Sequence, residues 1–336
     1  MGLQKFISGF REKRRQHRTR KAAAHIRELE VLDAIEHVVD EINPKIRALG
    51  GYRKKLRPCV EHTLDYCADL VACLPESTET SSKSWGREPL VKAFFSTAGT
   101  VQQVFSHNRE VRDFFDRHTD ATHCHALLSM ARQERTVLGM EIQGEVIRRD
   151  VRQTAVSFTD HRVFTPSLNE PELKNNLRRR AFESLIACTL ERISKLVAAR
   201  HLLEEQQQLL NMQIKVKQLK GKSLEPLIGN RNSASIDIAA LREQAANNGQ
   251  AGARLTTLED YIDRIADVLC NPESWLKLYS VSVHLSKMNI KLDDQSTDSG
   301  YTLQLTEAAL GEHLKRTLLI ARFPRDELLP ERDFLA

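Results

Sequence analysis

Between Pro171 and Gly221 the chain contains neither proline nor glycine. No other feature constrains the fold as strongly. About 50 uninterrupted residues at 1.5 Å each make a helical rod of roughly 75 Å. Its start is marked: Asn169 suits an N-cap, Pro171 the first turn, and Glu170 and Glu172 the positive end of the helix dipole. Gly221 suits its end. A heptad frame runs through Phe182, Ile186, Thr189, Ile193, Leu196, Arg200, Leu203, Gln207, Leu210 and Ile214. Seven of these ten are apolar, which is the pattern of a coiled-coil seam. The predicted helix–helix interface is therefore Phe182, Ile186, Ile193, Leu196, Leu203, Leu210 and Ile214, facing a second copy or another coiled-coil protein.

Apolar spacing places helices before this rod. One stripe runs from Leu32 to Ile42 and stops at Pro44; a second spans Leu56 to Leu74. A polar loop over 75–89 follows, then helices over 90–105, 108–118 and about 121–132. Together they predict a helical subdomain over 25–132. Residues 133–167 are rich in Val, Ile, Thr and Phe with period-two stretches, which predicts a small β meander turning near Thr159–His161. The long helix takes 168–222, and a linker with a weak helix takes 223–255. A C-terminal α+β subdomain covers 256–336: a helix capped by Thr256 and Glu259, then alternating strands around 279–285, 288–292, 301–305 and 314–323. The change of parity between Leu285 and Met288 predicts a bulge. The fold class is α+β, predominantly helical, with a long coiled-coil-like helix and two small antiparallel β meanders.

Charge is segregated along the chain. Residues 1–21 carry eight Lys or Arg against Glu12, a net +7, so the remaining residues total −2 of the overall +5. Ahead of the charges, Leu3, Phe6, Ile7 and Phe10 share one helical face. This basic N-terminal arm, 1–24, is the candidate contact with a membrane or polyanion, through Leu3, Phe6, Ile7, Phe10, Arg11, Lys13, Arg14, Arg15, Arg18, Arg20 and Lys21. Lys and Arg near an anionic leaflet and a buried apolar quartet supply two anchoring signals. Nucleic acid is the alternative, through phosphate contacts without base reading. The apolar quartet favours a membrane, because free nucleic acid offers those side chains little to contact.

Six cysteines (Cys59, Cys67, Cys73, Cys124, Cys188, Cys270) have no repeated spacing, which predicts reduced thiols and a cytoplasmic protein, peripheral on the membrane at most. No apolar run reaches the length of a membrane span, and the first residues do not read as a secretory signal. His118, His123, Cys124 and His125 are competent metal ligands, but their spacing lacks a second ligand pair. The plainer reading is a helix start with Cys124 in the core. Ser157, Asp160 and His161 hold the residue types of a hydrolytic triad, yet so close together they read as a polar turn. Gly221-Lys222-Ser223 lacks the earlier glycine of a phosphate loop. No cofactor is expected. The sequence thus predicts a non-enzymatic scaffold that oligomerises through the long helix and docks its arm on an anionic surface. An enzyme with an unfamiliar site around 118–161 is the third reading.

Overall fold

The computed structural model describes residues 21, 24–143, 146–222, 257–292, 300–311 and 314–330. The arm, apart from Lys21 and residue 24, and the linker with its weak helix lie outside the described residues. In chain order the elements are α1 (24–42), α2 (Tyr52–Ala72), β1 (Thr78–Glu79), α3 (Pro89–Phe94), α4 (Ala98–Ser106), α5 (Arg109–Arg117), β2 (His123–Gln143), β3 (Val146–Ser167), α6 (Glu170–Lys222), α7 (Leu258–Leu269), β4 (Leu276–Ser286), β5 (Gly300–Leu310) and β6 (Leu314–Pro324). The protein is α+β, with helices and a largely antiparallel sheet. It divides into two compact units, Met1–Thr63 with Leu185–Asn271, and Leu64–Ser184 with Pro272–Ala336.

The first unit is helical. α1 buries Val31, Ile35, Val38 and Val39, the face its spacing dictates. It stops before Pro44, where Asn43 caps a short 3-10 turn by accepting from the Lys45 amide. The first part of α2 buries Leu56, Cys59, Val60 and Thr63, and α7 buries Ile262, Ile265, Val268 and Leu269. The capping box of α7 lies one residue beyond the predicted one: Thr257 Oγ1 accepts from the Asp260 amide, and Asp260 accepts from the Thr257 amide. Thr63 Oγ1 donates to the carbonyl of Leu269. Beside that bond, Cys59 and Cys270 form a disulfide across 211 residues of sequence, with Cα atoms 4.3 Å apart. The expectation of six free thiols is corrected to four, Cys67, Cys73, Cys124 and Cys188. Spacing along the chain holds no trace of a pair that helix packing brings together.

The second unit is a sheet with helices on both faces. Its strand order is β3-β2-β6-β5-β4, with β1 added in parallel to β6. After β4 the chain reverses through Asn289, at φ 57°, so the predicted bulge is a turn. Residues 290–292 return along β4 and simultaneously bond to β3. Ser286 donates to the Ile290 carbonyl (2.8 Å), and Lys291 donates to that of Thr154 (2.8 Å). The ladder therefore closes on itself. The two predicted meanders are one sheet, joined by the pairing of β2 with β6 from His123↔Pro324 to Met130↔Thr317.

The helix predicted over 121–132 is the start of β2. Alternate residues Cys124, Ala126, Leu128 and Met130 face the interior with Phe94, Phe95, Phe105, Phe115, Val283, Leu305 and Phe323. Leu127 and Leu318 face the other way, against Val71, Leu74, Leu173 and Leu177 of α2 and α6. A strand covered on both faces reads as a continuous apolar run, which periodicity cannot separate from a buried helix. The turn predicted near Thr159–His161 lies inside β3, where a register shift opposite Ser129–Ala131 makes a bulge. Asp160 takes φ 49° there, a left-handed conformation that Asp tolerates. Arg316 holds it, donating to its carboxylate (2.7 Å) and its carbonyl (2.6 Å).

Candidate functional site

Of the predicted arm contacts, Leu3, Phe6, Ile7, Phe10, Arg11, Lys13, Arg14, Arg15, Arg18 and Arg20 lie outside the described residues; Lys21 is exposed. The next element, α1, opens with Ile26 and Leu29 exposed at 66% and 54%, so apolar surface continues past the basic stretch. Glu28, Glu36 and Asp40 of α1 are already engaged by their own unit. Arg57 bridges Glu28 (2.6 Å) and Glu61 (2.8 Å). Glu36 accepts from the Tyr52 hydroxyl (2.7 Å), Arg53 (2.8 Å) and Arg47 (3.0 Å), while Arg47 also meets Asp40 (2.6 Å). The Tyr52 hydroxyl, followed by the two arginines, holds Glu36 below the usual carboxylate range. Arg57 does the same for Glu28, and Arg47 for Asp40.

α6 shows two different halves. Phe182, Ile186, Thr189 and Ile193 of the predicted seam are buried within the monomer. Leu196, Leu203, Leu210 and Ile214 are half-buried. On the far side of the helix from that seam stands an exposed stripe outside the heptad frame: Leu202 (56%), Leu209 (60%), Met212 (64%) and Val216 (51%). Leu202, Leu209 and Val216 stand seven residues apart, so a second apolar register was present in the sequence.

The residues of the third reading are brought close but not assembled. His123 and His125 share one face of β2 with ring centroids 5.4 Å apart. Burial, reinforced by His123, lowers the basicity of His125. Cys124 points the other way into the core, where burial pushes its thiol up to about 12. His118 caps the end of α5 against Phe114. Among the described residues no group of three or more His, Cys, Asp or Glu is arranged to hold a metal. His161 Nε2 donates to the Phe94 carbonyl (2.8 Å) and its ring stacks on Phe95, while Asp160 belongs to Arg316 and Arg162. A triad needs the imidazole between acid and nucleophile; here acid and imidazole are committed to separate partners. No helix among the described residues is long and apolar enough to cross a membrane.

No protein-family model, curated protein or solved structure matches this chain.

Proposed function

We propose that the protein is a non-enzymatic interaction scaffold. Its first 21 residues dock on an anionic membrane surface, and α6 joins it to another copy or to another coiled-coil protein. The observation that carries the reading is the charge division, +7 on the arm against −2 on the rest. The body supports it in part, because Glu28, Glu36 and Asp40 of α1 already pair with arginines of their own unit. Each arm cation contributes roughly 1 kcal/mol beside an anionic leaflet. Burying Leu3, Phe6, Ile7 and Phe10 adds about 1.5–3 kcal/mol each at most.

Co-sedimentation with phosphatidylserine-containing vesicles tests this. The full chain is expected to pellet with them and not with neutral vesicles. Deletion of residues 2–21 should lower the partition by more than about a thousandfold, below detection, and Phe6→Ala with Phe10→Ala by at least about tenfold. Sedimentation unchanged by the deletion sinks the reading. Binding to duplex that falls steeply with salt and ignores both Phe substitutions would turn it to nucleic acid. The anionic leaflet of a cell is the cytoplasmic one. The Cys59–Cys270 pair pulls the other way, since cytosolic thiols are kept reduced. Mass spectrometry of that pair in protein taken from cells under alkylation decides the compartment.

A further inference from the structure

β2 has neighbours on both sides only as far as Met130, where its ladder with β6 ends at Thr317. Beyond that point β2 and β3 continue as a two-stranded ribbon, paired to Gln143↔Val146. Among the described residues no strand lies along the outer margin of β2 from Ala131 to Gln143. A margin of this length offers a row of backbone N–H and C=O groups to any incoming strand. Proteins usually blunt such margins with charge or proline. Here the centre is Val137-Leu138-Gly139-Met140, with Leu138 and Met140 exposed at 68% and 66%. At Gly139 the Gln153 amide lies across the strand and donates to the Met140 carbonyl (3.2 Å), a place it would have to leave for a side chain at 139.

We propose that this margin joins two copies of the chain, β2 pairing antiparallel with β2 of a second copy about a two-fold axis at Leu138. The register follows from charge. Leu138 opposite Leu138 sets Arg135 opposite position Glu141 of the other copy, twice by symmetry. Thr136 then faces Met140, and Val137 faces Gly139. Moving the axis one residue either way sets Arg135 opposite Gly139 or Gln143 and loses both charge pairs. Arg135 is available for this: it donates to Gln133 (3.0 Å) and has no carboxylate partner among the described residues. Directly opposed charges on a sheet attract, and like charges repel by similar amounts. Backbone bonds supply affinity and the charge pairs supply register. This joint is separate from α6.

Light scattering and sedimentation velocity of the full chain, over about 1–100 µM, read the dimer. The wild type is expected to dimerise through β2, and Leu138→Lys to lose this dimer with an unchanged melting temperature, leaving only such association as Leu209→Lys removes. Arg135→Glu and Glu141→Arg should each weaken the dimer about tenfold, and the double exchange should recover it within about threefold. The charge exchange stands as the test even if Leu138→Lys fails to fold. A chain that is monomeric throughout overturns the proposal. So does a dimer indifferent to Leu138→Lys but broken by Leu209→Lys, which would assign association to α6 instead. No recovery in the double exchange overturns the register. A wild-type chain that is already monomeric and loses vesicle binding on Leu138→Lys would make lipid the occupant in place of a second copy.

Discussion

Glu307 lies on the inner face of β5, 7% exposed, on the face that carries Leu303 and Leu305 into the apolar core. Its charge is tolerated there because Arg132 reaches it from β2, Nε to Oε1 at 2.7 Å, while also binding Glu134 at 2.8 Å. A buried pair of this kind adds little net stability over apolar residues of the same size, but removing one partner strands the other. Arg132→Met is therefore expected to cost about 3 kcal/mol in urea denaturation, and adding Glu307→Leu should return most of it. A double variant no more stable than the single one would show that Arg132 acts through packing of its stem instead of its charge. The same logic explains Asp160. Its left-handed backbone at φ 49° is paired with the guanidinium of Arg316, which binds its carboxylate, its carbonyl and Ser129 together.

At the scale of elements, the two halves of α6 should respond differently to truncation. Phe182 is 4% exposed, so Phe182→Ala is expected to destabilise by about 3–5 kcal/mol. Leu209 is 60% exposed, and Leu209→Ala should stay within about 0.5 kcal/mol in a dilute chemical melt. Equal losses would mean that Leu209 is covered in the monomer in solution. α6 was legible because its signals are local: Asn169 accepts from the Glu172 amide (2.9 Å) as the sequence predicts, and proline and glycine are absent until Gly221. The strands of the C-terminal part were legible for the same reason, through period-two alternation at Val283–Leu285 and Leu303–Leu305. What escaped was set by distant partners. β2 takes its strand form from β6, nearly two hundred residues later, and its covered outer face erased the alternation that would have betrayed it. The bulge at Asp160, the Cys59–Cys270 pair and the return strand at 290–292 belong to the same class. Of the candidate site, the arm was visible as charge and the first α6 seam as heptads. The exposed stripe at Leu202, Leu209 and Val216 was visible too, but only burial distinguishes an outward register from an inward one.

For the whole molecule, the carboxylates decide how acid acts. Glu28, Glu36 and Asp40 in one unit, and Asp160 and Glu170 in the other, are all held below the usual range, by hydrogen bonds from Arg57, Tyr52, Arg47, Arg316 and Lys174 respectively. A depressed carboxylate takes its proton more readily in the unfolded chain. The stability it contributes is thus complete above the unfolded value near 4 and lost as pH falls through the folded one. Acid unfolding followed by circular dichroism should show a plateau through neutrality and a decline only below about pH 4. The arm enters this argument by what it should not do. If its +7 is directed outward, the folded carboxylates owe their depression to the body alone, and deleting residues 2–21 leaves the acid midpoint where it was. If the body held the arm, deletion would remove cations from those carboxylates, raise their folded values and move the midpoint upward. An upward shift would therefore count against docking even where vesicle binding was found, because the same charges cannot neutralise the scaffold and its target at once.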